Sequence, residues 1–480
     1  MQKKFLSSLG LLLLLNLLVK PLYILGIDAE VQNRVGQEAY GTYFALLNLS
    51  FLFNILIDLG INNFNNRNIA QNQQLIGKHF SKLFSAKALL AIIYAGITLV
   101  LGLVLGYHGV DFWILLVLVF NQVIVSFILF ARSNLAALHL FTRDSAVSVL
   151  DRGLLIIFCS ILLFTNITGE AFSILWFVYL QTLSYVITLI VALSLIWKRA
   201  GRLRWNLEKA FSILIFKKSI PYALFILAGM LYTRIDGIMI ENILADGSTQ
   251  AGHYAQGYRF YEAAGMFALL FGTLLLPTYS RMLKDKENVL KIVQISARIL
   301  MGLGAFAAIF TFYHGDWLLN WRYIDVDEQS VNSFIALMIG FFGVCMFYVY
   351  GTLMTANENL KELNFIAFGG LLINVVLNFI LIPEFLAFGA AITTMVTQFF
   401  AGLAQLIFVV IHFRLGMNYK MIAQFFIFFV AYIGMNLVLV SYLDSDLYAA
   451  LFSVISGLLL LMVSKVLSIR QIKVLLKPEK

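Results

Sequence analysis

The sequence predicts an all-α polytopic membrane protein of about 14 transmembrane helices, two six-helix lobes in a parallel pseudo-two-fold repeat followed by two C-terminal helices. Three observations predict it. Of the 480 residues, 61% are hydrophobic and only 12% charged, and the mean hydropathy is +0.89. A soluble domain cannot hide that much apolar surface. Apolar runs long enough to span a bilayer, about 20 residues each, recur from one end of the chain to the other. Short signals in the first half also reappear in the second, at an offset of roughly 211–218 residues.

The spans fall at about 8–27, 42–60, 87–106, 112–131, 146–165, 171–197, 219–243, 256–279, 292–313, 331–355, 363–383, 386–412, 420–441 and 447–468. The first begins like a signal peptide, with a basic start and an apolar core. Lys20–Pro21 then interrupts the run and the apolar character resumes, which predicts an uncleaved first helix. If that helix starts at Ser8, Lys20 lies about 18 Å along it, near the midplane. If it starts later, Lys20 snorkels to the outer surface.

Charge sets the orientation. With the N-terminus inside, the cytoplasmic side holds Lys3, Lys4, the loop Arg67–Lys87, Arg132–Arg152, Lys198–Lys218, Arg281–Arg298, Lys361, Arg414, Lys420 and the tail Lys465–Lys480. Of 34 lysines and arginines only Lys20, Arg34, Arg234, Arg259 and Arg322 fall elsewhere. The positive-inside rule therefore places both termini in the cytoplasm. The outer connections carry acids instead, among them Asp28, Glu38, Asp111, Glu170, Asp246 and Asp327. Trp113, Trp176, Trp317 and Trp321 fall near outer ends, where amphipathic rings prefer to sit.

The net charge of +9 is thus a matter of topology, and no soluble basic face remains for nucleic acid. Cys159 and Cys345 both lie in apolar runs and are expected as packed free thiols. The segment 198–218 is basic and interleaved with Leu203, Trp205, Leu207, Phe211 and Ile213. It reads as an interfacial connector between two bundles, or as a lipid-sensing linker. The chain holds no P-loop, HExxH, Cys/His cluster or nucleophile elbow. The prediction is a protein without cofactor or metal and without enzyme activity. Its longest outer connection, near 313–330, is too short for the acceptor site of a glycan polymerase or ligase.

The repeat is read from Gly41-Thr42-Tyr43 before the second span and Gly252-His253-Tyr254 before the eighth. Leu135-Ala136 with Arg143-Asp144, and Leu353 with Lys361-Glu362, lead likewise into the fifth and eleventh spans. Six spans separate equivalents, an even number, so the halves run in parallel about an axis along the membrane normal. The division expected is 1–197 for the first lobe, 198–218 for the linker, 219–413 for the second lobe and 414–480 for two extra helices and a basic tail.

Three stretches resemble a known family. LLINVVLNFILIPEFLAFGAAITTMVTQ (Leu371–Gln398) is similar to the "NvvLNfilIP…GAAiaT" stretch of polysaccharide-export flippases, which handle O-antigen and other lipid-linked oligosaccharides. LYTRIDGIMIENIL with AGHYAQGYRF resembles the segment opening their second half, and VQNRVGQEAYGTYFALLNLSFLFNILIDLGINN the matching part of the first. These flippases belong to the multidrug/oligosaccharidyl-lipid/polysaccharide exporter superfamily. The resemblance implies two lobes forming a V around a central cavity, and alternating access. It implies a polyprenyl-diphosphate-linked oligosaccharide, such as an O-antigen unit for lipopolysaccharide, carried from the cytoplasmic to the outer leaflet of a bacterial inner membrane. Partners expected with it are the bilayer, a coupling cation (Na+ or H+) and polysaccharide-assembly proteins. A cation-coupled multidrug extruder is the close rival.

The residues for such a site are electrostatic. An ionisable group at membrane depth costs about 2.5–3.5 kcal/mol on insertion scales and so faces a protein interior or a wet cavity. A diphosphate in a low-dielectric cavity needs cations, and arginine offers bidentate donors. Arg234, Arg259, Lys20 and Arg34 are the candidate substrate-binding residues. Arg234 alternatively pairs with Glu262 or snorkels outward. Asp58, Asp236 and Glu262 are candidate ion-coupling or structural acids. Asp236 points about 200° away from Arg234 on a straight helix, so it faces within its lobe unless Gly237 marks a break. Asp58 is either a helix-end anchor or a cation site.

Overall fold

The computed structural model describes residues 15–72, 74, 76–165, 171–200, 205, 209–414, 416 and 418–468. Lys3, Lys4, the first turns of the span expected from residue 8, Glu170 and the tail beyond 468 lie outside the described residues. So do the side chains of Arg67, Lys78 and, apart from Trp205, the linker.

Among the described residues 12 helices are long and apolar enough to cross a membrane, and the chain is a multi-pass membrane protein. Helix α1 runs over 15–22, through a π-turn at Tyr23–Asp28, to Ala29–Val35. Then follow α2 (Gln37–Leu52), α3 (Ile55–Asp58), α4 (Ile61–Gln71), α5 (Ile76–Val104), α6 (Gly109–Ala137), α7 (Phe141–Phe164), α8 (Ile174–Ala200) and α9 (Lys209–Ile243). Helix α10 (Gly247–Lys284) carries the boundary between two compact units, 1–252 and 253–480. The second unit continues with α11 (Leu290–Arg322), α12 (Glu328–Met346), α13 (Leu360–His412), α14 (Tyr419–Tyr442) and α15 (Asp446–Val463). A π-turn at Phe347–Gly351 and a last turn Thr352–Ala356 extend α12.

In the first unit the second span is broken. Helix α2 stops at Leu52, and Leu59 and Gly60 both adopt positive φ before α4 begins. A break within a membrane frees backbone groups that must be satisfied by protein. Tyr94 Oη donates to the Ser50 carbonyl at 2.6 Å, and Lys87 Nζ lies 3.4 Å from the Ile57 carbonyl. Asn54 donates to Gln122 at 2.8 Å and Asn65 to Ser133 at 2.9 Å, tying the broken span to α6. The core below is built by α4 to α8 around Phe80, Leu83, Phe130, Leu135 and Ala192.

The two Gly-x-Tyr signatures have a physical role. A Cβ on Gly41 would enter the backbone of Ser248, and one on Gly252 the backbone of Gln37. The paired glycines are where the start of α2 and the start of α10 touch main chain to main chain, as small residues allow between membrane helices. The tyrosines behave alike in their own units. Tyr43 Oη accepts from Gln181 of α8 at 2.7 Å, and Tyr254 Oη lies 3.4 Å from Thr394 Oγ1 of α13. Replacing Gly41 by alanine should lower the midpoint of thermal unfolding by the equivalent of about 1–3 kcal/mol, the usual cost of overpacking. Gly229→Ala is the control, since nothing lies within 4 Å of that position.

In the second unit, α13 has 53 residues, with Pro383 inside it and non-helical angles at Leu386 (φ 54°, ψ −135°). A straight helix of that length would reach about 80 Å, far beyond the roughly 30 Å of hydrocarbon. It turns back instead. A Cβ on Gly369 would lie 3.3 Å from the Phe400 ring, so residues on either side of Leu386 pack together. Helix α13 therefore holds the two spans expected at 363–383 and 386–412. Helices α14 and α15 pack on α11, where Phe306 stacks on Tyr432 with centroids 5.5 Å apart.

Candidate functional site

In the first unit the structure gathers charge inside apolar spans. Lys20 sits on α1, which Asn16 fastens to α7 through a 3.1 Å hydrogen bond to Ser148 Oγ. Lys20 interacts electrostatically with Arg152, Asp151 and Arg132. Arg152 is about 16 Å into α7, with its guanidinium 4.6 Å above the Tyr23 ring and 5.7 Å from that of Tyr185. Asp151 lies 3.8 Å from it. Arg132 Nε pairs with Asp144 Oδ1 at 2.7 Å. Three cations and two carboxylates from α1, α6 and α7 thus share one neighbourhood, faced by tyrosines. By charge pattern alone Arg132 and Arg152 fall with the cytoplasmic loops. The span expected from residue 146 already contains Arg152, and that is the signal that points to it.

Asp28, by charge pattern an outer acid, is buried in the π-turn of α1 and accepts a 2.5 Å hydrogen bond from Tyr40 Oη. Arg34 is on the last turn of α1, half exposed, with Nε 3.2 Å from Glu30. Such surface pairs contribute roughly 0–1 kcal/mol.

Arg234 sits on α9 against α2. Its Nη1 donates to Asn48 Oδ1 at 3.3 Å and its guanidinium lies 4.8 Å over the Phe51 ring. Asp236 is buried on the same helix, and the backbone at Gly237 is so close to α2 that a Cβ would come within 2.8 Å of Asn48. Asp58 lies 2.8 Å from Lys87 Nζ, which is fully buried, and its Oδ1 also accepts from the Asn62 amide at 3.3 Å. Lys87, which the charge pattern places at the end of a cytoplasmic loop, is inside the span His79–Val104.

A further acid, Glu241, falls inside the span expected at 219–243, and that is its signal in the sequence. Near the α9 terminus Glu241 accepts from Tyr107 Oη and lies 3.4 Å from Ser248 Oγ. Ser248 Oγ accepts in turn from Thr42 at 3.0 Å, and Asn242 donates to Tyr107 Oη at 3.2 Å. Burial, and then the Glu241 carboxylate, push the Tyr107 phenol well above its ordinary range. This network fastens α2, α9, α10 and the turn after α5 at one end of the unit.

In the second unit Arg259 is buried on α10 and pairs with Glu262 at 2.9 Å, one turn away. Helix α13 contributes a polar seam facing inward, with Asn374, Asn378, Thr393, Thr394, Thr397 and Gln398 all buried. No group of three or more His, Cys, Asp or Glu side chains suited to a metal ion occurs among the described residues.

Residues 5–283, more than half of the chain, match the model of a family described as polysaccharide biosynthesis protein. The chain belongs to that family. It is the family that the Arg234 and Gly-x-Tyr segments resemble. A capsular polysaccharide biosynthesis protein, CapF of Staphylococcus aureus, is 25% identical to this family member over 227 residues, 44% of this chain and 57% of the relative. The alignment therefore spans little more than half of that relative's length. Among solved structures, the lipid II flippase MurJ in an inward closed conformation is similar with a TM-score of 0.63 at 14% identity, covering 88% of this chain and 96% of MurJ. An inward-facing multidrug resistance MATE transporter follows with 0.57 at 15%, covering 85% and 96%. The Vibrio cholerae MATE transporter VcmN in its bent form gives 0.56 at 16%, covering 84% and 95%. At such identities the likeness is one of fold.

Proposed function

We propose that this family member is a flippase for a polyprenyl-diphosphate-linked oligosaccharide, an O-antigen or other surface polysaccharide unit. It carries that substrate from the cytoplasmic to the outer leaflet of a bacterial inner membrane, with both termini cytoplasmic. The observation that supports this reading is the set of cations held inside apolar spans: Lys20 with Arg132 and Arg152, and Arg234 over Phe51. Cations at membrane depth persist where an anion compensates them, and Lys20, Arg132 and Arg152 outnumber Asp144 and Asp151, leaving positive charge for a diphosphate to neutralise. Arg234 and Arg259 bind the diphosphate, and Lys20 and Arg34 are the further substrate-binding cations. Glu262 holds Arg259 until substrate displaces it. Rocking of 1–197 against 219–413 alternates access, with Asp58, Asp236 and Glu262 as the ion-coupling or structural acids. The multidrug neighbours favour an extruder as the second reading, through fold alone.

Each charge-assisted bond to phosphate contributes about 1.5–3 kcal/mol. Lys20→Ala, Arg234→Ala and Arg259→Ala, at confirmed membrane abundance, should each weaken binding and transport of the lipid-linked saccharide by roughly ten- to a hundredfold. Arg234→Lys should rescue only partly, because it keeps the charge and loses the fork. Parent-like handling by all three alanine proteins would sink the cationic site. Export of drugs with no effect on lipid-linked saccharide would favour the extruder.

A further inference from the structure

The two arms of α13 enclose a groove of about 790 Å3 that no part of the site above uses. Phe365 and Phe368 line it from one arm, and Ala404, Ile407 and Ile411 from the other. Phe365 is 81% and Ile411 72% exposed, so no described residue covers it. Its polar residues all lie at one end: Lys361, Glu362 and Asn364. That end is where α13 begins and finishes, since Asn357 Nδ2 lies 3.4 Å from His412 Nε2. From 361 to 368 the helix rises about 10 Å, within the roughly 15 Å of hydrocarbon in one leaflet. The groove therefore opens in a single leaflet, with its polar end at headgroup level.

An acyl chain fills such a groove. The headgroup is set by the mouth, where Lys361 and Glu362 stand side by side. Adjacent helix residues do not face each other, and neither has an ion-pair partner among the described residues. Exposed Glu358 and Arg414 flank the same end and add one charge of each sign. An anionic lipid would meet Glu362 unfavourably. A choline headgroup has no N–H to donate. A phosphoethanolamine satisfies both, its phosphate accepting from Lys361 and its ammonium donating to Glu362. We propose that the α13 groove is a binding site for a phospholipid with an ethanolamine headgroup, one acyl chain lying between the two arms.

The test is lipid retention. The protein is placed in nanodiscs with equal parts of phosphatidylethanolamine, phosphatidylcholine and phosphatidylglycerol, extracted in mild detergent, and its retained lipids are counted by native mass spectrometry. The parent should retain the ethanolamine lipid over the choline lipid by roughly two- to fivefold, the range of an exposed charge pair. Glu362→Gln should erase that preference. Glu362→Lys should turn it toward phosphatidylglycerol, a gain that a misfolded protein would not show. Ala404→Trp, which fills the groove, should reduce all retention. Equal retention of ethanolamine and choline lipids by the parent would overturn the proposal. So would a parental preference for phosphatidylglycerol, or unchanged ethanolamine retention in Ala404→Trp.

Discussion

Replacing Lys87 by methionine is expected to destabilise the first unit by about 3 kcal/mol. Removing one partner of a buried pair usually costs about 3–5 kcal/mol, and the partial exposure of Asp58, at 23%, sets the lower end. The loss is larger than the ion pair alone, because Lys87 also faces the Ile57 carbonyl beside the break between α3 and α4. In purified protein the thermal midpoint should fall by roughly 6–12 °C. Lys87→Met with Asp58→Asn should recover most of it, since the amide oxygen still accepts from Asn62 and no lone charge remains. A double variant as unstable as the single one would show that the pair is not the anchor of the broken span. Transport by the double variant separates the two readings of Asp58. Parent-like transport makes it an anchor, and a stable but inactive protein makes it a coupling site.

Asn436→Leu should loosen the two C-terminal helices by about 2 kcal/mol or more. The side chain is fully buried on α14, and its Oδ1 takes both His314 Nε2 of α11 at 2.9 Å and Ser453 Oγ of α15 at 2.6 Å. Interhelical hydrogen bonds in membranes average only about 0.6 kcal/mol. The greater cost is the stranding of the buried His314 donor, about 1–3 kcal/mol, since Ser453 Oγ keeps Tyr432 Oη at 3.0 Å. Hydrogen exchange should rise in α14 and α15 before the rest of the second unit. Adding His314→Leu removes the stranded donor and should restore part of the protection. If exchange is unchanged in Asn436→Leu, the docking rests on the apolar contact of Phe306 with Tyr432 and not on this network.

Whatever depends on composition is legible in the sequence. The apolar runs, the Gly-x-Tyr repeat and the family all follow from it, because lipid selects for span length and hydrophobicity. Pro383 and the two expected spans around it mark the fold-back of α13, and the structure places its turn at Leu386. The candidate site is legible only in part. Arg234 and Arg259 stand out as charges in apolar runs, and Glu262 lies within one turn of Arg259, as its spacing predicts. Lys87, Arg132, Arg152 and Asp28 fall with the connections by charge pattern, because each lies near the end of a run. The break in the second span, which brings Lys87 and Asp58 together, has no proline to announce it. A membrane helix that is apolar all round carries no stripe to say which face turns inward. Which charges meet is therefore decided by helix rotation, by breaks such as Leu59–Gly60 and by close approaches such as Gly41 to Ser248, and those exist only once the helices have packed.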